Sequence, residues 1–303
     1  MSTGTRRTTR KLAIGCTGAL AVAVCGVAGA AQADANTTSV WKDGNTLRVT
    51  ADNNVQNEIT VEKQAANFFV TDVDTVAAGA GCVAVNANTV SCTAAGITEV
   101  VVEARNRNDT VNAGAADTRS TLRGGGGADT LMGSAHDDRI EGGDGNDPML
   151  NGDGGRDRIF GGDGNDTLNT ENGDDYGEGG YGNDTLNGGD DAGGVVGHDH
   201  LVGGPGRDTF NGGPGNDRLE GGGDRDTLNG DPGDDRLEGG ADRDTFSGGP
   251  GNDRLEGGGD RDTINGDDND DHLIGGPARD HLNGGNGTDR CENGNDTKVN
   301  CER

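Results

Sequence analysis

Aromatic residues are almost missing from this 303-residue sequence, at 3%, and hydrophobic residues of every kind reach only 29%. A chain this poor in apolar side chains and this highly charged cannot offset its ordering entropy by burial alone, which excludes a conventional globular core. Basic residues are short as well: 25 Lys and Arg stand against 53 Asp and Glu, a net charge of -28. That excess argues against nucleic acid and anionic membrane as partners and points to cations. Neither HExxH nor GxSxG occurs, and the five histidines (His136, His198, His200, His272 and His281) are scattered. His198 and His200 form a lone H-x-H without an evident third ligand, so they read as surface residues rather than a zinc site. The chain is read as a protein that is not an enzyme.

Long apolar runs are absent but for one. Arg6, Arg7, Arg10 and Lys11 precede "LAIGCTGALAVAVCGVAGAA", which leads into "AQA" at 31–33. A basic region, an apolar stretch and an A-x-A site read as a secretory signal (1–33) cleaved after Ala33, in preference to a membrane anchor. The expectation is a secreted, extracellular chain with no membrane span once mature. Cleavage removes Cys16 and Cys25 and leaves Cys82, Cys92, Cys291 and Cys301. An even number in an exported chain implies disulfides. Both local pairs are ten residues apart, so Cys82–Cys92 and Cys291–Cys301 is the simplest of the three connectivities.

What is abundant is glycine, 60 residues of it, set against a beat of aspartate. Asp199, Asp208, Asp217, Asp226, Asp235, Asp244, Asp253, Asp262, Asp271, Asp280 and Asp289 follow one another in steps of nine. Upstream the beat runs through Asp129, Asp138, Asp147, Asp157, Asp166, Asp175 and Asp184, with one extra residue between Asp147 and Asp157 and six near 190–197. Asp109, in "RNRNDTV", is a degenerate first copy. The unit is G-G-x-G-x-D-x-U-x with U large and apolar, matched throughout by "GGDGNDTLN" (161–169), "GGYGNDTLN" (179–187) and "GGPGNDRLE" (212–220 and 248–256).

This tandem motif resembles the RTX, or hemolysin-type, calcium-binding nonapeptide repeat. The resemblance covers about 104–292. It implies an all-β fold, a parallel β-roll in which six residues make a calcium-binding turn and three a short strand. The residues support it independently: glycines let carbonyls crowd inward, and a hard cation takes carbonyl and carboxylate oxygens. The expected ligands of multiple Ca2+ are Asp129, Asp138, Asp147, Asp157, Asp166, Asp175, Asp184, Asp199, Asp208, Asp217, Asp226, Asp235, Asp244, Asp253, Asp262, Asp271 and Asp280. Two nonapeptides make one 18-residue coil, so like aspartates stack roughly 4.8 Å apart and repel unless a cation lies between them. Calcium binding then supplies the folding free energy that the missing core does not.

A period of 18 predicts two alternating faces, and the triplets after the aspartates do alternate. TFN, TLN, TFS and TIN follow Asp208, Asp226, Asp244 and Asp262; RLE follows Asp217, Asp235 and Asp253. One face should carry a threonine ladder beside asparagines, the other arginine and glutamate rows that pair across strands. Turns leading to RLE keep glycine fourth, as in GGPGND (212–217). On the other edge Asp224, Asp242 and Asp260 replace it, and Arg207, Arg225, Arg243, Arg261 and Arg279 form a row. Two readings of that row stand open: each arginine offsets its extra aspartate while calcium still binds, or the guanidinium neutralises the stacked carboxylates and weakens the sites. The second is favoured.

Residues 34–103 lack the repeat and show strand alternation at 46–51, 58–64, 67–72 and 97–104, with a disulfide-stapled hairpin at 81–92. They read as an N-terminal cap to a roll over 104–292 rather than as a small ligand-binding module, and 293–303 as a disulfide-closed tail. Relatives often carry a protease or lipase domain ahead of the repeats; some 70 residues are too few for one. Many also use a C-terminal export signal, unlike the N-terminal one here. The expected role is structural or adhesive, with a cell-surface or extracellular polymer as partner. The alternative is an ice- or glycan-binding solenoid using the Thr/Asn face.

Overall fold

A computed structural model describes residues 37–53, 55–189, 197–292 and 297–302. The expected signal segment 1–33 lies outside the described residues, as does 190–196, where the second slip in the beat falls. Among the described residues there are strands and turns only, and no helix long and apolar enough to cross a membrane.

The strands build two sheets, of fourteen and fifteen strands. From Glu99 onward the chain alternates between them, and each strand pairs in parallel with the one a coil away: Leu219 opposes Leu237, which opposes Leu255, while Phe210 opposes Leu228 and then Phe246. This is a parallel β-roll of 18-residue coils. RLE triplets fall on the fourteen-stranded sheet, here the arginine sheet, and TLN-type triplets on the fifteen-stranded threonine sheet. The one-residue slip is absorbed by Pro148. Thr130 pairs with Met149 and Leu131 with Leu150, so the proline sits ahead of its strand, where no ladder amide is needed.

The core is two facing rows of U residues. Leu186, Leu201, Phe210, Leu219 and Leu237 are wholly buried, because strand alternation turns each inward while its neighbours face out. Gly177 breaks the row. It opposes Leu201, and a Cβ at Gly177 would lie 2.9 Å from Leu201 Cδ2, so the leucine occupies the space that a side chain there would need.

Parallel pairing begins before the repeat does. Strand Thr46–Thr50 lies against Glu99–Asn106, with Leu47 opposite Val100, and Glu58–Gln64 lies against Thr110–Ala115, with Ile59 opposite Val111. Between those strands the chain leaves the coil. Asn67–Thr71 returns antiparallel on Glu58–Gln64, and Cys82–Asn86 pairs with Thr89–Thr93 in a hairpin closed by the Cys82–Cys92 disulfide. Strands Thr37–Asp43 and Thr75–Ala78 extend the arginine sheet at this end. At the other end Cys291 occupies a U position opposite Leu273, bonds to Cys301, and leaves Thr297–Val299 to add a last parallel strand on His281–Asn283.

On the outer face of the arginine sheet the ion pairs run mainly along strands, not across them as expected. Arg218 meets Glu220 at 2.5 Å and Arg254 meets Glu256 at 3.2 Å. In-register parallel stacking places Arg218 opposite Arg236 and Glu220 opposite Glu238, so a like charge is the nearest cross-strand neighbour. Cross-strand pairs appear where the row changes residue, as at His200–Glu220 and Arg123–Glu141. The threonine sheet carries an amide ladder instead, Asn211 donating to Asn187 and Asn187 to Asn169, each at 2.8 Å.

Candidate metal centre

Two edges join the sheets. Turns on the first edge enter the threonine sheet and end at Asp129, Asp147, Asp166, Asp184, Asp208, Asp226, Asp244, Asp262 and Asp280. Turns on the second enter the arginine sheet and end at Asp138, Asp157, Asp175, Asp199, Asp217, Asp235, Asp253, Asp271 and Asp289. All of these aspartates are buried, at 4% exposure or less. The expected ligands therefore line two rows, stacked coil on coil.

What holds them there is a ladder that the sequence does not announce. Each aspartate turns its Oδ1 toward the preceding coil and accepts from the backbone amide of the counterpart aspartate: Asp208 N to Asp226 Oδ1 at 2.8 Å, Asp226 N to Asp244 Oδ1 at 2.8 Å, Asp217 N to Asp235 Oδ1 at 2.8 Å. On the first edge the ladder starts at the amide of Asn57, which donates to Asp109 at 2.6 Å, and on the second at Ser120, which donates to Asp138. Glu302 takes the next place beyond Asp289, accepting its amide. One oxygen of each carboxylate is thus committed to the backbone, a role that replaces part of the cation bridging expected between stacked aspartates.

The other oxygen differs. Oδ2 of Asp129, Asp147, Asp166, Asp184, Asp226, Asp235, Asp244, Asp253, Asp262 and Asp271 is buried with no hydrogen-bond partner. It faces the first residue of its own turn, where a Cβ at Gly142 would lie 2.1 Å from Asp147 Oδ2 and one at Gly221 2.4 Å from Asp226 Oδ2. Asp138 is an exception, its Oδ2 accepting from the Ser134 amide. A buried carboxylate oxygen without a donor demands a proton or a cation. Burial pushes these groups up, against the lowering effect of the amide bond and with neighbouring carboxylates adding to the rise. Asp157, Asp226, Asp235 and Asp271 reach about 8, Asp147 and Asp262 about 7, and Asp166 and Asp244 about 6.

Backbone supplies the remaining donors. Gly145 has φ +134°, and a Cβ on it would lie 1.8 Å from the carbonyl oxygen of Gly127 in the preceding coil. The turns therefore stack carbonyl on glycine at a spacing that no larger residue allows. Among the described residues no group of three or more His, Cys, Asp or Glu side chains forms a metal site. The Oδ2 atoms and the turn carbonyls together would offer a cation an all-oxygen set, suited to a hard ion such as calcium. The residues fit that ion.

The edges are not uniform. At the fourth turn position the first edge carries Gly127, Gly145, Gly164, Gly182 and Gly206, all with φ between +134° and +142°; Asp224 and Asp242 follow at +66°, then Asp260 and Ala278. The second edge returns to glycine at Gly233, Gly251 and Gly287, near +157°. Among the described residues no arginine of the row Arg207, Arg225, Arg243, Arg261 and Arg279 makes an ion pair, so neutralisation of the stacked carboxylates by that row is not what the structure contains. The guanidinium groups are exposed, whereas the carboxylates lie inside the turn.

A parallel roll with glycine-lined turns and ranks of half-satisfied buried carboxylates defines a calcium-binding repeat protein. The family model for the RTX calcium-binding nonapeptide repeat matches residues 118–147, 149–177, 169–192, 193–228, 229–264 and 265–297, more than half of the chain. The chain belongs to this family. No curated protein matches it.

Proposed function

We propose that the chain is an exported, non-enzymatic module that folds around several calcium ions outside the cell and serves a structural or adhesive role. The observation that carries this reading is the double rank of buried Oδ2 atoms, each a charge that the fold cannot tolerate bare. Calcium at extracellular levels suits sites of modest affinity, while a calcium-poor cell interior keeps the chain loose enough to be exported. The A-x-A site at 31–33 and the two disulfides accord with an oxidising destination. In this reading 1–33 is the signal, 34–103 and 293–303 are caps, and 104–292 is the calcium-bearing roll. The test is a calcium titration followed by circular dichroism at pH 8. The β signal should appear with calcium and vanish with chelator; a chain equally folded in both states overturns the reading.

A further inference from the structure

The first edge changes character between Asn183 and Arg207, and the fold does not account for what replaces the earlier pattern. Upstream, the fifth turn residue knits coils together. Asn146 accepts from the amide of Asn165 at 2.8 Å, Asn165 from that of Asn183 at 2.7 Å, and Asn183 from that of Arg207 at 2.9 Å. The second edge does the same through Asn216, Asp234 and Asp270. An arginine has no acceptor. Five successive coils, at Arg207, Arg225, Arg243, Arg261 and Arg279, nonetheless carry arginine at this place.

These side chains gain little inside the molecule in return. All five are exposed, and among the described residues none forms an ion pair, although acidic residues outnumber basic ones two to one. Arg261 Nε donates to the carbonyl of Arg279 at 3.1 Å. The arginines of the other sheet, by contrast, find glutamates. Beside the row stand Thr209, Thr227, Thr245 and Thr263, which are exposed, whereas Thr130, Thr167 and Thr185 upstream are half-buried. Arginine and threonine, with aspartates of the first-edge rank at the back, line two adjoining grooves of about 390 and 510 Å³ that share Arg225, Arg243 and Thr245.

The geometry points to a binding groove for a linear sulfated polysaccharide. One guanidinium per coil repeats at the strand spacing, so five span roughly 19 Å and meet a polymer with an anion at a similar interval. Guanidinium groups offer paired donors to oxyanions, and threonine hydroxyls can bond sugar hydroxyls. No Phe, Tyr or Trp platform for nucleobases lines either groove, and His281 is the one ring among the lining residues. Sulfate esters bind calcium weakly beside carboxylates, so such a polymer would leave the aspartate ranks their metal. This extends the adhesive reading above and rests on it for the folded, calcium-loaded roll.

The test uses the full chain in calcium at physiological salt, with dextran sulfate as probe and neutral dextran, polygalacturonate and duplex DNA beside it. Dextran sulfate should bind, and the combined variant Arg225→Asn, Arg243→Asn, Arg261→Asn should weaken it about tenfold or more and flatten its salt dependence. Asn restores the residue used upstream, so the calcium-induced dichroism should persist. Should it not, single Arg243→Asn gives the same reading in smaller measure. Arg218→Asn with Arg236→Asn on the arginine sheet should leave binding unchanged. The proposal is overturned by equal binding to the variant, by preference for polygalacturonate or DNA, or by a folded wild-type roll that ignores dextran sulfate. That last result leaves calcium-dependent folding standing, and dichroism tells the two failures apart.

Discussion

The two halves of the first edge differ in turn sequence and agree in the aspartate ladder. Before Arg207 the turns read GGGGAD, GGDGND or GGYGND and the fourth residue is glycine at φ near +135°; after it they read GGGDRD, GGADRD or GGPARD, with aspartate at +66° in two coils. Yet Asp147 N meets Asp166 Oδ1 at 2.8 Å in one half, and Asp226 N meets Asp244 Oδ1 at 2.8 Å in the other. The sixth residue and the strand register therefore hold the coil together, while the fourth and fifth are free to differ. At the fourth position, glycine stacked on a carbonyl belongs to the upstream half, while arginines without an ion pair belong to the downstream one.

The largest expected effect treats both halves alike and would break the comparison if it did not. Without calcium, the carboxylates are stabilised in the fold as acids. Their folded pKa values, about 6 to 8, lie above the unfolded value near 3.9, so their contribution is present in full below about pH 4 and is lost as pH rises through 8. A chelated chain should gain β dichroism as pH falls from 8 to 5, and calcium should abolish that dependence. A flat profile would show that the buried oxygens are not the source of the calcium requirement.

Next in size is Gly145→Ala, which drives a Cβ into the Gly127 carbonyl at a positive φ and should cost about 3 kcal/mol or more in the calcium-loaded state. Asp242→Gly at the equivalent downstream place should change stability by about 1 kcal/mol or less in chemical denaturation. Equal costs would erase the distinction between the halves. Asp147→Asn keeps the ladder acceptor and removes the charge; it should weaken calcium binding, measured by titration calorimetry, more than Asp244→Asn does if the glycine-lined turns are the stronger sites. Smallest is Arg236→Ala on the arginine sheet, whose 3.7 Å pair with Glu238 is half-exposed and worth about 1 kcal/mol at most.

Much of this was legible from spacing. The nine-residue beat locates the U positions, the alternation of RLE with TLN assigns them to two sheets, and the ten-residue cysteine intervals match the bonded pairs. The ladder was not, because GxD spacing marks a turn without saying which carboxylate oxygen meets which amide. Nor was the early start of parallel pairing at Leu47 and Ile59: a 53-residue step from Leu47 to Val100, filled by hairpins, has no period to detect. Pairing along rather than across strands follows from the 18-residue register itself: it sets Arg218 beside Arg236, so the nearest cross-strand neighbour carries a like charge and the arginine turns to the glutamate of its own strand.

The direction of the aspartate ladder gives assembly a sense of travel. Every coil has its aspartate amides capped by carboxylates that arrive later in the chain, as Asp208 waits for Asp226 and Asp226 for Asp244. A roll growing from its N-terminal end always presents a bare leading face, which only the next coil satisfies, until Glu302 closes the second edge at Asp289. The ladder is thus polar, with bare amides at one end of a partial roll and bare carboxylates at the other, and a chain arrested midway would display its amides to any neighbouring copy with a GxD turn to offer.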